Sequence, residues 1–442
     1  MGIINPMNQI LQEYLATSLS KKYGFSLEKT EISWIWSSTA GMLFIGAALG
    51  ALGSSAIISR KGPVKALLYS AIWLLISAPL CGISSFIEIP EFFILGRFCS
   101  GIGIGIGMTA HGIFLIEISS VKFRGIISSF GGFSINIGFI FANFLGLPVI
   151  LGTQTQWPIA FLIEGIPNIL LILGIISFFH ETPIHLLRFG KDQAAKESLK
   201  VYSKESDVDQ EIEKLKRVLK FQQKTDKWSE ILVDGASRSA LLFSCALNCV
   251  VAFSGITAVS FFGTFLLESI GFSSSQAALA NLLSGFAGTL GAIFGSFGLD
   301  RVGRRFLVIG SLLLLAFINT SMMILVALFN QTQNKQIAYG FLLLFVMFLF
   351  TFSAGVGPTA WFLGAELSPA SSRAKIQSAS VFCQYIFCFI SPLIYYPLSV
   401  YSPTLSFLLF IVPLTVSAVY FYRYLPETKG KTFEEIFRNF SK

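Results

Sequence analysis

Charge is scarce in this chain. Asp, Glu, Lys and Arg make up 13% of its 442 residues, against roughly 25% in soluble domains, while hydrophobic residues supply 53% and the mean hydropathy is +0.70. That balance excludes a water-soluble globular protein and predicts a polytopic membrane protein. Paired carboxylates are absent from the apolar runs, which argues against proton pumping. Catalytic signatures are missing too: the sequence holds no Gly-x-Ser-x-Gly, no His-Glu-x-x-His and no phosphate loop, so no enzyme, cofactor or metal centre is expected. The six cysteines, Cys81, Cys99, Cys245, Cys249, Cys383 and Cys388, all fall inside apolar runs, where cysteine serves as a small hydrophobe. A formal charge of +8 suggests nucleic acid only when the bases are spread; here Lys and Arg crowd the loops of one side, a topology signal.

What is abundant is apolar sequence. Runs of about 20 residues suit helical spans, and eleven occur, at residues 32–58, 64–84, 92–116, 125–151, 157–179, 240–267, 277–299, 306–329, 337–363, 376–398 and 405–424. The loop Asp300-Arg301-Val302-Gly303-Arg304-Arg305 packs four fixed charges between two of them. Arginine in a short loop marks the cytoplasmic face. Arg60, Lys61, Lys65, Lys122, Arg124, Arg373 and Lys375 share that side, and the opposite loops are short and hold Glu88, Glu91, Glu268 and Lys335. The C-terminus is therefore predicted cytoplasmic, and an odd number of spans puts residues 1–30 outside.

A charged segment, residues 181–238, separates five spans (1–180) from six (239–425), with a cytoplasmic tail at 426–442. Ile212, Leu215 and Leu219 recur at helical spacing among Glu211, Glu213, Lys214, Lys216 and Arg217, which predicts amphipathic helices at the cytoplasmic surface. The two parts repeat each other. Gly62 returns as Gly303, the pair Glu117 and Arg124 as Glu366 and Arg373, and Glu181-Thr182-Pro183 as Pro426-Glu427-Thr428, at offsets of 241, 249 and 246. Landmarks in one order at a near-constant offset indicate a duplicated bundle. The predicted fold is all-α, two pseudo-symmetric helical bundles with a solute held between them. Correspondence of the halves leaves the first one helix short, so residues 1–12 read as the outer stub of a first helix; no cleavable signal pattern is present.

Two sets of residues are candidates for function. Arg60, Arg97, Glu117, Arg124, Glu181, Asp300, Arg301, Arg304, Arg305, Glu366, Arg373 and Glu427 are assigned to the cytoplasmic ends of spans as a gate whose ion pairs bridge the halves when that side is closed; singly, each is a flanking charge of small energetic weight. Polar residues within spans are the default solute contacts: Asn136, Asn143, Asn248, Thr257, Asn281 and Gln384, with Trp361 and Tyr385 as aromatic walls. The same residue types also serve helix-to-helix hydrogen bonds. Gly101, Gly103, Gly105 and Gly107 give two overlapping Gly-x-x-x-Gly spacings for close helix approach, Gly355-Val356-Gly357-Pro358 interrupts a span, and His111 reads as a neutral packed histidine.

Taken together, these residues resemble the sugar porters of the major facilitator superfamily, the facilitative glucose transporters in particular. The resemblance rests on Asp300 to Arg305, Gly96-Arg97, Glu117 with Arg124-Gly125, Trp157-Pro158, Glu181-Thr182-Pro183, Gly357-Pro358 with Trp361, Glu366 with Arg373, and Pro426-Glu427-Thr428-Lys429-Gly430, and runs from about Ile4 to the C-terminus. It implies transport by alternating access. The departures concern the solute. Gly132 stands where the family has a Gln, Val251-Ala252-Phe253-Ser254-Gly255-Ile256-Thr257 where it has Gln-Gln-Leu-Ser-Gly-Ile-Asn, Gly288 for an Asn, Ser353 for a Glu, and Gln384-Tyr385 for Asn-Trp. Loss of these amides undercuts hexose specificity. The expected function is a facilitative uniporter of a small polar solute, a hexose or related sugar or polyol, in the plasma membrane; the alternative is a transporter-like sensor that docks partners through residues 181–238 and moves nothing. Thr257, Trp361, Gln384, Tyr385, Asn136 and Asn248 are the predicted cavity lining.

Overall fold

A computed structural model describes residues 2–24, 28–119, 124–202, 208–221 and 227–429. A 3-10 turn at Gly2–Ile4 leads into α1 (Asn8–Tyr23). The first bundle then runs through α2 (Lys29–Lys61), α3 (Pro63–Phe86), α4 (Pro90–Ile118), α5 (Arg124–Leu145), and α6 (Trp157–Ile163) with α7 (Gly165–Phe178). Four short helices follow: α8 (Pro183–Arg188), α9 (Asp192–Tyr202), α10 (Val208–Phe221) and α11 (Trp228–Val233). The second bundle comprises α12 (Gly235–Ala252) with α13 (Ile256–Ser269), α14 (Ser274–Arg301), α15 (Arg304–Thr332), α16 (Lys335–Ala354) with α17 (Val356–Leu367), α18 (Arg373–Tyr401) and α19 (Leu408–Tyr424). Among the described residues ten helical stretches are long and apolar enough to cross a membrane, and α5 adds a shorter apolar stretch at Phe130–Leu145. These are the eleven predicted runs. Three of them are broken: at Glu164, at Phe253–Gly255 and at Gly355.

The first residues, expected as the outer stub of a first helix, form a short turn beside α5, where Gly2 faces Phe139 and Ala142. The turn at Gly2–Ile4 is followed by a separate α1, whose Leu11 and Leu15 share a buried cluster with Phe93 and Trp157 and whose Tyr14 packs on both rings. Lys22 and Tyr23 bond Glu91 at 2.6 and 2.5 Å, and Lys21 pairs with Glu88. Helix α1 thus lies at the end opposite Arg301.

Small residues set the packing inside the first bundle. A Cβ on Gly101 or Gly105 would fall 2.1 or 2.0 Å from the carbonyl oxygens of Leu43 and Ala47 on α2, while Gly103 and Gly107 face Leu74 and Ser70 of α3. Alternate glycines therefore admit two neighbours at once, the close approach that their spacing predicts. The halves meet through α2 with α18, where Ser378 Oγ donates to the Ala51 carbonyl at 2.6 Å, and through α4 with α17, where Gly112 faces the Trp361 carbonyl. Between the bundles, Leu187, Ala195, Leu199 and Ile212 form a small core of their own, with Leu215 and Leu219 packed against it.

Candidate functional site

The end that carries Arg301 is built from charges placed by helix termini. Glu117 ends α4 in the first half, and its carboxylate accepts from Thr182 Oγ1 at 2.6 Å and from Arg373 Nη1 at 3.2 Å. Arg373 starts α18 in the second half and also donates from Nε to the Ala365 carbonyl at 3.0 Å. The pair is nearly buried and crosses between the bundles. Arg188 of α8, in the segment between the bundles, donates to the Ala370 carbonyl of the second. Arg304 and Glu366, 3.5 Å apart and 3% exposed each, form a second buried pair that lies wholly within the second half.

Glu181 and Glu427 do different work. Each folds back onto the start of a helix in its own bundle. Glu181 accepts from the backbone N–H groups of Val64 and Lys65 at 3.2 and 3.4 Å, and Glu427 from those of Arg304 and Arg305 at 3.0 and 3.1 Å. A carboxylate there satisfies orphan donors and meets the positive end of the helix dipole. The loop must pass beneath it, which explains the repeated glycine. Gly62 and Gly303 have φ of 92° and 107°, and a Cβ on either would fall 2.2 Å from Glu181 Cδ or 2.5 Å from Glu427 Oε2. Burial pushes the Glu181 carboxyl above the ordinary range, opposed by its backbone hydrogen bonds.

The remaining charges divide. Arg305 donates to the Tyr422 carbonyl at 2.5 Å, the Arg301 carbonyl accepts from Lys429 Nζ at 2.6 Å, and Arg60 is exposed at the end of α2. The side chains of Arg124 and Asp300 lie outside the described residues. Arg97 requires correction. It is not at the end with Arg301: α4 begins at Pro90 on the opposite end, so Arg97 sits about two turns in from there, 3% exposed, with Nε and Nη2 making no hydrogen bond among the described residues. Its assignment overlooked the direction in which α4 runs.

At mid-depth the polar residues join helices. Asn136 Nδ2 donates to the Gly132 carbonyl, and its Oδ1 accepts from Ser353 Oγ of the other half at 3.3 Å. Thr257, just past the break between α12 and α13, donates to the Ala252 carbonyl and lies 3.2 Å from Ser391 Oγ. Tyr385 stacks on Phe44 across the halves, centroids 6.3 Å apart, beside Gln384, also buried. Trp361 is half-buried, and its carbonyl accepts from Gln377 Nε2. Asn248 stands apart. It is fully buried inside the second bundle, donating to the Ser244 and Ala360 carbonyls at 2.8 and 3.2 Å, so it ties α12 to α17. His111 packs against Gly131.

Two family amide positions have no room for a larger side chain: a Cβ on Gly132 would meet Pro358 at 2.7 Å, and one on Gly288 would meet Asn136 Oδ1 at 2.5 Å. A cavity instead opens toward the end opposite Arg301, between α2 and the pair α13 and α18, walled by Trp36, Phe44, Phe261, Phe262 and Phe389, with Ser37 as its hydroxyl. Sequence reasoning missed these aromatics because it sought polar residues in spans. Beyond them, Thr264 Oγ1 donates to Asn5 Oδ1 and accepts from Asn281 Nδ2, both at 3.1 Å, joining the first residues of the chain to the second bundle.

Two pseudo-symmetric helical bundles, joined at one end by a buried ion pair, make up the major facilitator fold. The MFS (major facilitator superfamily) proton:xylose symporter XylE bound to 6-bromo-6-deoxy-D-glucose superposes with a TM-score of 0.82 at 20% identity, over 99% of this chain and 96% of that one. The chain belongs to the sugar (and other) transporter family, whose profile matches residues 1–440. Among its relatives, solute carrier family 2, facilitated glucose transporter member 7 of Mus musculus is 25% identical over 446 residues, covering 100% of this chain and 86% of the relative. Member 3 of Ovis aries is 28% identical over 443 residues, covering 99% and 88%.

Proposed function

We propose that the protein is a facilitative carrier of a small polar solute, hexose-like in class, that works by alternating access with Arg301 on the cytoplasmic face of the plasma membrane. The observation that carries this reading is the Glu117–Arg373 pair. It is buried, joins the two bundles at one end, and has no covalent link across it, so it can part as a unit when that end opens. The Arg304–Glu366 pair and the capping carboxylates of Glu181 and Glu427 stiffen each bundle behind it. The solute path runs from the aromatic cavity past Tyr385 and Gln384 toward Asn136 and Ser353. With few free amides along it, the carrier reads ring faces and a few hydroxyls, which favours a less hydroxylated sugar or polyol over glucose.

The test is uptake of radiolabelled D-glucose, D-xylose and a panel of deoxy-sugars and polyols into proteoliposomes holding the purified protein. Saturable uptake that needs no pH or sodium gradient is the expected result. A second reading, a sensor that binds without moving solute, draws on the occupied space at Gly132 and Gly288. Binding with no flux for any compound would establish it over the carrier.

A further inference from the structure

Three thiols that transport leaves unused lie on the facing stretches of α12 and α18. These helices run side by side in the same direction, and their contacts keep one register. Phe253 meets Phe387 with ring centroids 5.7 Å apart, and Thr257 Oγ1 lies 3.2 Å from Ser391 Oγ, an offset of 134 residues that the two phenylalanines share. One turn nearer the Arg301 end, the same offset sets Cys249 opposite Cys383. Cys245 stands four residues before Cys249, on the same face of α12. The register therefore puts Cys245 and Cys249 on the stretch of α12 that faces Cys383 of α18. All three are free and half-buried, whereas Cys81, Cys99 and Cys388 are buried. Among the described residues no group of His, Cys, Asp and Glu is arranged to hold a metal ion, so the chemistry open to this cluster is that between sulfurs.

We propose that Cys383 and Cys249 form an oxidation-sensitive dithiol, with Cys245 as the alternate partner, that a hydroperoxide converts to a disulfide clamping α12 to α18. The Cys383 sulfur attacks the peroxide oxygen, giving a sulfenic acid and releasing the alcohol; the Cys249 sulfur then attacks that sulfur, forming the S–S bond and releasing water. Two thiols are oxidised and one hydroperoxide is reduced. Exchange with Cys245 can move the bridge by one turn of α12. The bond sits one turn before the break at Phe253–Gly255, where α12 gives way to α13, and fixes that bend to α18. Its effect on flux rests on the carrier reading; its formation does not.

The experiment takes the full chain, purified reduced into lipid nanodiscs, and exposes it to cumene hydroperoxide before denaturation, maleimide titration of free thiols and peptide mapping. Two thiols are lost, Cys383 is joined to Cys249 or Cys245, and dithiothreitol restores both. Cys383→Ser keeps all its remaining thiols, as does the double variant Cys245→Ser with Cys249→Ser, so poor folding of one variant does not decide the matter. Thiols that all stay free, or oxidation to sulfinic acid without a bridge, or a bridge among the other cysteines, overturns the proposal. In proteoliposomes, oxidation abolishes uptake and reductant returns it; undiminished uptake by bridged protein overturns the clamp. Absence of uptake in the reduced protein counts against the carrier and leaves the thiol result standing.

Discussion

The two halves of this molecule are held together by different chemistry at its two ends. At the Arg301 end the halves are joined by the buried ion pair of Glu117 and Arg373, and Arg188 of the intervening segment bonds a backbone carbonyl of the second half. At the other end Asn5, Thr264 and Asn281 share neutral hydrogen bonds, and Phe44 packs on Phe261 with centroids 5.4 Å apart. Splitting a neutral hydrogen bond costs about 1 kcal/mol net, whereas a charge stranded in a buried site costs about 3–5 kcal/mol. The charged closure must therefore part with water reaching both partners, an all-or-none event. The neutral one can loosen by degrees.

The sharpest way to break this contrast is Arg373→Ala, which strands Glu117. A loss of about 3–5 kcal/mol is expected, read as a lower midpoint of thermal unfolding in detergent together with loss of uptake; a change below 1 kcal/mol would falsify the lock. Gly303→Ala comes next. Its φ of 107° and the 2.5 Å approach to Glu427 put the expected cost at about 1–3 kcal/mol, seen as the same fall in midpoint, and a neutral result would deny the cap its role. At the opposite end, Thr264→Val removes both hydrogen bonds for about 1–2 kcal/mol. It should raise maleimide labelling of a cysteine placed at Ser37 and leave the unfolding midpoint closer to the parent than Arg373→Ala does. Equal effects at the two ends would erase the distinction. The smallest effect belongs to exposed Arg60: Arg60→Ala should stay within about 0.5 kcal/mol of the parent, and a larger shift would mean that it has a partner at this end.

Much of this architecture was legible because lipid demands long apolar runs, and all eleven appear as helical stretches. The repeat was legible as well, since Gly62 and Gly303 answer to one steric need. Pairings were not. Glu181 reads as a gate acid beside Glu117, yet it caps α3 from 117 residues away, a relation that only the folded bundle creates. The break at Gly355 follows from its glycines and proline, and those at Glu164-Gly165-Ile166-Pro167 and Phe253-Ser254-Gly255 carry the same kind of signal. Asn248 and Thr257 look alike as isolated polar residues; packing alone turns one into a tie between α12 and α17 and sets the other beside the bend. Arg97 was misplaced by reading proximity to a span end without its direction.

The capping carboxylates have a mechanical meaning. Each bundle's chain, after its last spanning helix, doubles back and fastens to the loop where that bundle's early helices turn, at Val64 in one case and Arg304 in the other. Each half is thus buckled like a belt, its final residues stitched to one of its earlier loops, and cannot splay without tearing backbone hydrogen bonds together. Deformation under load is driven onto the plane between the halves, where no peptide bond crosses except through the α8 to α11 segment.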